Sequence, residues 1–295
     1  GDGVSVEAGL APSPGRQDLR KRLLTAILLG PLFLAAVAVG GLVFLAAVLA
    51  VVGVGAWEFF RLARGKRFRP RTVPGIGLAL LFPILFYLAP ASPLTIPGLV
   101  VLGVIGVALV QLLDGEADGS LGSVSLTVYG AAYVGLLFGH FMLIREISRV
   151  VPGMPYWWGA ALVGVTVLLA WLNDSAAYVI GRRWGRHKLI PRISPGKTIE
   201  GAAGALVVTV LIAVAVVLAA GSRMPLLTPA DALAIGALVA VAGPVGDLVE
   251  SAFKRDAGVK DASDLIPGHG GVLDRFDSLM AVAPAVWYYL RIVVL

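Results

Sequence analysis

The chain has 295 residues, of which 58% are hydrophobic and only 14% are charged, and its net charge is +6. Soluble domains carry about 25% charged residues, so this composition indicates an integral membrane protein and argues against a soluble globular fold. The absence of cysteine excludes disulfides, thiolate catalysis and cysteine-based zinc sites.

Apolar runs long enough to cross a bilayer follow one another along the chain. Residues 1–18 are rich in Gly, Pro and polar side chains and are predicted to form a disordered tail. The rest predicts an all-α polytopic membrane protein. The nine predicted spans are residues 22–39, 42–60, 73–89, 94–113, 122–144, 156–180, 200–220, 231–253 and 277–295. We divide them into an N-terminal group of about five helices (19–150) and a C-terminal transmembrane region (151–295).

The basic residues predict the orientation. With a cytoplasmic N-terminus, 20 of the 24 Lys and Arg residues fall in the tail and the loops on the cytoplasmic side, as the positive-inside rule requires. Two of these loops, 181–199 and 254–276, are long and polar. Ligand chemistry is therefore expected on the cytoplasmic face.

Four polar residues share one face of the eighth predicted span. Asp247, Glu250, Ser251 and Lys254 have the i, i+3, i+4, i+7 spacing of neighbours on a helix. Acidic groups inside a span usually face a polar cavity. A structural ion pair between an acid of this face and Lys254 or Arg255 is the alternative explanation.

The segment after this span is dense in groups that nucleotide and metal sites use. Basic side chains neutralise phosphates, carboxylates bind divalent cations, and glycines let the backbone approach a phosphate. The residues concerned are Lys254, Arg255, Lys260, Arg275, Asp274, Asp277, Gly268, Gly270, Gly271 and His269. A solvated loop explains any one of them, but not the whole run.

Residues 251–277 closely resemble the signature of the phosphatidate cytidylyltransferases, S-x-x-K-R, then K-D, then P-x-H-G-G-x-x-D-R-x-D. A second block supports the resemblance: N-D-x-x-A-Y begins at Asn173, a G-R pair at Gly181, and S-P-G-K-T-I-E-G at Ser194. Gly196 stands where the family commonly has lysine, which removes one positive charge from the loop.

The resemblance implies transfer of CMP from CTP to phosphatidate, with release of pyrophosphate, by a multi-pass protein of the inner (plasma) membrane. It implies Mg²⁺, leaves a second cation and a homodimer open, and implies membrane lipids but no nucleic acid polymer as partners. The residues implied for catalysis are Asp247, Asp274 and Lys254; for metal binding, Asp247, Asp274 and Asp277; for CTP or phosphate binding, Ser194, Lys197, Thr198, Ser251, Lys254, Arg255, Arg275 and His269; and for the polar cavity, Asn173, Asp174, Glu250 and Lys260.

Other interpretations fit the sequence less well. A noncatalytic relative would be expected to lose Asp247, Asp274 or Lys254, and all three are present. CDP-alcohol phosphotransferases need a D-G-x-x-A-R run, which the chain lacks. An ion-coupled transporter would also bury Asp174, Asp247 and Glu250, but it would not need the signature loop. Residues 195–198 end like a P-loop, yet Pro191 occupies the position of the required first glycine and no preceding strand is expected.

Overall fold

The structure is a computed structural model and describes residues 30–64, 69–115, 117–224, 226–266 and 270–295. The predicted tail, the start of the first predicted span and His269 lie outside these residues. Ten α-helices are present in the described ranges: α1 Gly30–Val39, α2 Gly41–Arg64, α3 Thr72–Leu88, α4 Thr95–Leu113, α5 Ser120–Ala131, α6 Leu137–Arg145, α7 Trp157–Trp184, α8 Ile199–Ala220, α9 Pro229–Ala257 and α10 Leu273–Tyr289.

Short irregular segments link or extend these helices. A π-helical turn, Ala132–Leu136, joins α5 to α6 without a break, and a second one, Leu290–Val294, extends α10. Single 3₁₀ turns, Ile147–Arg149 and Gly221–Arg223, follow α6 and α8. The continuous segment from α5 to α6 therefore acts as one long helix.

The prediction of an all-α polytopic membrane protein is confirmed. Each of the nine predicted spans overlaps one helical segment in the described part of the chain, and seven of these segments are long and apolar enough to cross a membrane. The other two, α1 and α3, are shorter. The number of spans and the side of the N-terminus stay predictions.

Two details of the predicted loops were wrong. The helices α7 and α9 continue to Trp184 and Ala257, beyond the predicted ends at 180 and 253, so Arg255 is helical. Lys254 is helical too, as the predicted shared face with Asp247 required. A strand does precede residues 195–198, because β1 (Lys188–Ile190) pairs in antiparallel fashion with β2 (Ser194–Thr198). This hairpin is too short for an alternating apolar pattern to reveal it.

Local sequence signals set both ends of α9 and the start of α8. Thr228 and Asp231 form a capping box at the start of α9, and Gly258 ends that helix with a left-handed conformation, at φ 73°. Thr198 caps α8 by accepting a hydrogen bond from the Gly201 N–H at 3.1 Å. The hairpin therefore leads directly into α8.

The C-terminal helices form the most closely packed group. Helix α8 packs between α7 and α9, and α9 packs on α10. The N-terminal helices reach this group through contacts of α2 and α6 with α10. In contrast, α4 and α8 leave most of their apolar surface exposed, as expected for helices that face lipid. The ends of α7 and α9 and the starts of α8 and α10 lie around one cavity.

Candidate active site

A cavity of about 1280 Å³ opens at this end of the helix bundle. Its walls come from α1, α7, the β-hairpin, α8, α9, α10 and the loop before α10. The predicted site residues that line it are Asp174, Ser194, Lys197, Thr198, Asp247, Lys254, Asp274, Arg275 and Asp277. Residues from two blocks about 75 positions apart in the chain thus meet in one space.

Lys254 lies between two carboxylates. Its Nζ contacts Asp274 Oδ1 at 2.6 Å and also pairs with Glu250, one turn earlier on α9. Glu250 is fully buried and the Asp274 side chain is nearly so. Two acids therefore fix the direction of this side chain, and Lys254 also lines the cavity, where its ammonium group can meet an anion.

The backbone before α10 holds Asp274 in place. Asp274 Oδ2 accepts the N–H groups of Ala262 at 2.9 Å and Gly271 at 2.7 Å. Both oxygens of this carboxylate therefore have protein partners, one the loop and the other Lys254. The lone pairs that remain could take a cation, and the predicted role of Asp274 as a metal ligand stays a prediction.

A second lysine pairs with Asp247 across the cavity. Lys197, on β2, contacts Asp247 Oδ2 at 2.8 Å and donates to the carbonyl oxygen of Pro244 at 3.4 Å. Ser251 Oγ donates to Asp247 Oδ1 at 3.1 Å, as their shared helix face requires. The lysine contact connects the hairpin to α9, and each oxygen of Asp247 has one partner, Lys197 at Oδ2 and Ser251 at Oδ1.

Two further aspartates, Asp174 and Asp277, line the cavity beside this pair. Asp174 on α7, Asp247 on α9 and Asp277 on α10 are close enough to interact electrostatically, and Lys197 acts on Asp174 as an opposite charge. Ser278 Oγ donates to Asp174 Oδ2 at 3.4 Å. Within the described ranges, no three His, Cys, Asp or Glu side chains are spaced to hold a metal ion together.

Most of the remaining predicted residues do not line the cavity. Arg275 lines the cavity, whereas Ser251, Arg255, Glu250, Asn173 and Lys260 are not among its lining residues. Arg255 Nε donates to the Ile193 carbonyl at 3.4 Å, which ties α9 to the hairpin. Asn173 is fully buried and accepts from Thr209 at 3.2 Å. His269 lies outside the described residues.

Glycines allow α7 to approach the hairpin. An ideal Cβ on Gly181 or Gly185 would lie 2.8 Å from Thr198 Oγ1, and one on Gly201 would lie 2.7 Å from the carbonyl oxygen of Ala177. Real Cβ atoms do not approach that closely. Gly181, Gly185 and Gly201 therefore let α7 pack directly against Thr198 and the start of α8.

Sequence reasoning missed one buried acid beside the site. Glu58, on α2, is fully buried and accepts hydrogen bonds from Ser263 Oγ and from the N–H groups of Val272 and Leu273. The signal that could have found it is the same one that identified Asp247, an acidic residue inside an apolar predicted span. Arg182 and Lys188 also line the cavity and were not singled out.

Apolar side chains also line the cavity. Phe33 and Leu34 from α1, Trp171 and Tyr178 from α7, and Phe276 from α10 line it beside the charged groups. Trp171 and Tyr178 are 42% and 65% exposed. A ligand with a charged head and an apolar remainder matches this mixed lining.

The sequence is similar to those of known bacterial proteins. The chain is 35% identical to a phosphatidate cytidylyltransferase of Bacillus subtilis (strain 168), over 93% of this chain and 98% of that protein. It is 33% identical to a phosphatidate cytidylyltransferase of Staphylococcus haemolyticus, over 90% and 96%. An uncharacterized protein of Escherichia coli (strain K12), YnbB, is 40% identical over 61% of this chain and 58% of its own length. The cytidylyltransferase family profile matches residues 20–293, and the chain belongs to the cytidylyltransferase family.

Proposed function

We propose that the chain transfers the cytidylyl group of CTP to phosphatidate, which forms CDP-diacylglycerol and pyrophosphate. The observation that carries the proposal is the convergence of both signature blocks on one cavity that charged and apolar side chains line together. Family membership and the relatives named phosphatidate cytidylyltransferase support it.

The reaction brings two anions together. An oxygen of the lipid phosphate attacks the α-phosphorus of CTP, a new P–O bond forms, and the bond to the bridging oxygen of pyrophosphate breaks. The nucleophile is already an anion, so the main obstacle is charge rather than proton removal. Lys254 and Lys197 line the cavity and contact Asp274 and Asp247 respectively. Arg275 also lines the cavity. We assign these three cations to the phosphates.

The acids fit a divalent cation. Four aspartates, at positions 174, 247, 274 and 277, line the cavity, and lysines contact two of them, Asp247 and Asp274. Mg²⁺ binds through one or two carboxylates and keeps several waters or substrate phosphate oxygens, which does not require three protein ligands. Asp247 and Asp274 would hold it, with Asp174 and Asp277 beside them. When bound, the ion would neutralise charge that develops on the phosphates.

We also propose that the cavity faces the cytoplasm from the inner membrane. Its basic residues Arg182, Lys188 and Lys197 belong to a segment that the positive-inside rule assigns to the cytoplasm. CTP would enter from that side. The apolar residues that line the cavity would let the acyl chains of phosphatidate remain in the lipid layer.

Pyrophosphate release by the purified protein, with CTP, phosphatidate and Mg²⁺, tests the proposal. We expect release that needs both substrates and is abolished by Asp247→Asn and by Asp274→Asn. Asp231→Asn is the matched control, because Asp231 lies on the same helix about 24 Å from Asp247 and does not line the cavity. No release by folded, lipid-bound wild-type protein would refute the proposal.

A further inference from the structure

The carboxylate of Glu58 acts as a cap for a helix to which it does not belong. Its Oε1 accepts the Val272 N–H at 3.0 Å and the Ser263 hydroxyl, and its Oε2 accepts the Leu273 N–H at 2.6 Å. These N–H groups are at the start of α10, where a helix has donors without intrahelical partners. Val272, at the N-cap position, makes no side-chain cap. Glu58 supplies from α2 the acceptor that the local sequence lacks.

The capped turn carries Asp274. Residues 271, 272, 273 and 274 are consecutive, and three of them contact a carboxylate through their N–H groups: Gly271 contacts Asp274 itself, and Val272 and Leu273 contact Glu58. Asp274 in turn contacts Lys254 at 2.6 Å. Glu58 is therefore connected to Lys254 through the first turn of α10.

The two glycines of the signature fit around these two carboxylates. A Cβ on Gly271 would lie 2.5 Å from Glu58 Oε1, and a Cβ on Gly270 would lie 2.8 Å from Asp274 Oδ2. Gly270 also has a positive φ of 78°, which side chains other than glycine adopt at a cost. The paired glycines are thus explained by the close approach of Glu58 and Asp274 to the backbone.

We propose that Glu58 is a positioning residue for the reaction proposed above. It fixes the first turn of α10 so that Asp274 directs the ammonium group of Lys254 into the cavity. Glu58 does not line the cavity and acts through its contacts with the loop. The inference rests on the proposed function for its kinetic consequence, but the anchoring itself does not depend on the identity of the substrates.

Glu146→Gln provides a matched control for Glu58→Gln. Glu146 is also buried, and it accepts the Gly41 N–H at 3.2 Å and the Tyr156 hydroxyl at 2.9 Å. It therefore caps the start of α2, whereas Glu58 lies near the end of that helix, about 25 Å away. Both substitutions keep the size of the side chain and replace one acceptor oxygen of a buried carboxylate by a donor.

The first measurement is the steady-state rate of pyrophosphate release. Glu58→Gln removes one hydrogen bond between a charged carboxylate and the first turn of α10. Asp274 then no longer directs Lys254 into the cavity. We expect the KM for CTP to rise about tenfold or more, the size of effect that loss of one hydrogen bond to a charged group produces. Glu146→Gln should leave this KM unchanged. If both variants lose activity in proportion to their loss of thermal stability, Glu58 is only a structural residue and the proposal is wrong.

The second measurement is amide hydrogen exchange of the full-length protein, read by mass spectrometry. Glu58→Gln should speed exchange in peptides that cover 259–275, whereas Glu146→Gln should not. Unchanged exchange in that segment of the Glu58 variant would overturn the proposal. If wild-type protein released no pyrophosphate from CTP and phosphatidate, the proposed function would fail, while the exchange result would still decide whether Glu58 anchors the loop.

Discussion

Replacement of Lys254 by methionine should destabilise the protein strongly. The lysine contacts Glu250, which is fully buried, and Asp274, whose side chain is 3% exposed. Removal of one partner of a buried ion pair costs about 3–5 kcal/mol, since the other charge is left uncompensated. With about 2–4 °C of thermal midpoint per kcal/mol, a decrease of about 10 °C is expected. Scanning fluorimetry of the detergent-purified protein measures it.

A second substitution separates stability from chemistry. In Lys254→Met/Glu250→Gln, one of the two uncompensated carboxylates becomes neutral, so about half of the lost thermal stability should return. Pyrophosphate release should not return, because the ammonium group assigned to the phosphates is still missing. A single variant as stable as wild type would refute the ion-pair reasoning. Recovery of activity in the double variant would show that Lys254 is only structural.

Four further changes test other parts of the structure. Thr198→Val should lower stability by about 1 kcal/mol through loss of the α8 cap, and Thr198→Ser should not; equal thermal midpoints would contradict the capping role. Gly135→Ala should cost about 1–3 kcal/mol, since its Cβ would lie 2.3 Å from the Ala79 carbonyl oxygen; an unchanged melting curve would disprove the close contact. Arg145→Met should lower the thermal midpoint, because three backbone carbonyls lose their donor, but should leave kcat unchanged, and a lower kcat in folded protein would argue against a purely structural role. Asp174→Asn should raise the Mg²⁺ concentration for half-maximal rate about tenfold; an unchanged titration would remove Asp174 from the cation site.

The contacts of the acids show where sequence reasoning stopped. The i, i+4 spacing on α9 correctly placed Ser251 beside Asp247, because helix geometry alone makes such residues neighbours. The same spacing left both acids of this face as candidate partners of Lys254. The lysine pairs with Glu250 and Asp274, while Asp247 pairs with Lys197 from the hairpin. Such pairings depend on how distant segments pack, which spacing along one helix does not encode.

Hydropathy and the signature blocks determined, from sequence alone, that this is an all-α polytopic membrane protein of the cytidylyltransferase family. Long apolar runs are enough to predict membrane-spanning helices, because backbone N–H and C=O groups inside a bilayer must hydrogen-bond to one another. Only the tertiary structure decided that Asp174, from α7, joins Asp247 and Asp277, and that Glu58 anchors the loop before α10. Those contacts link residues up to 215 positions apart, and their geometry arises from helix packing, which is not readable from local sequence.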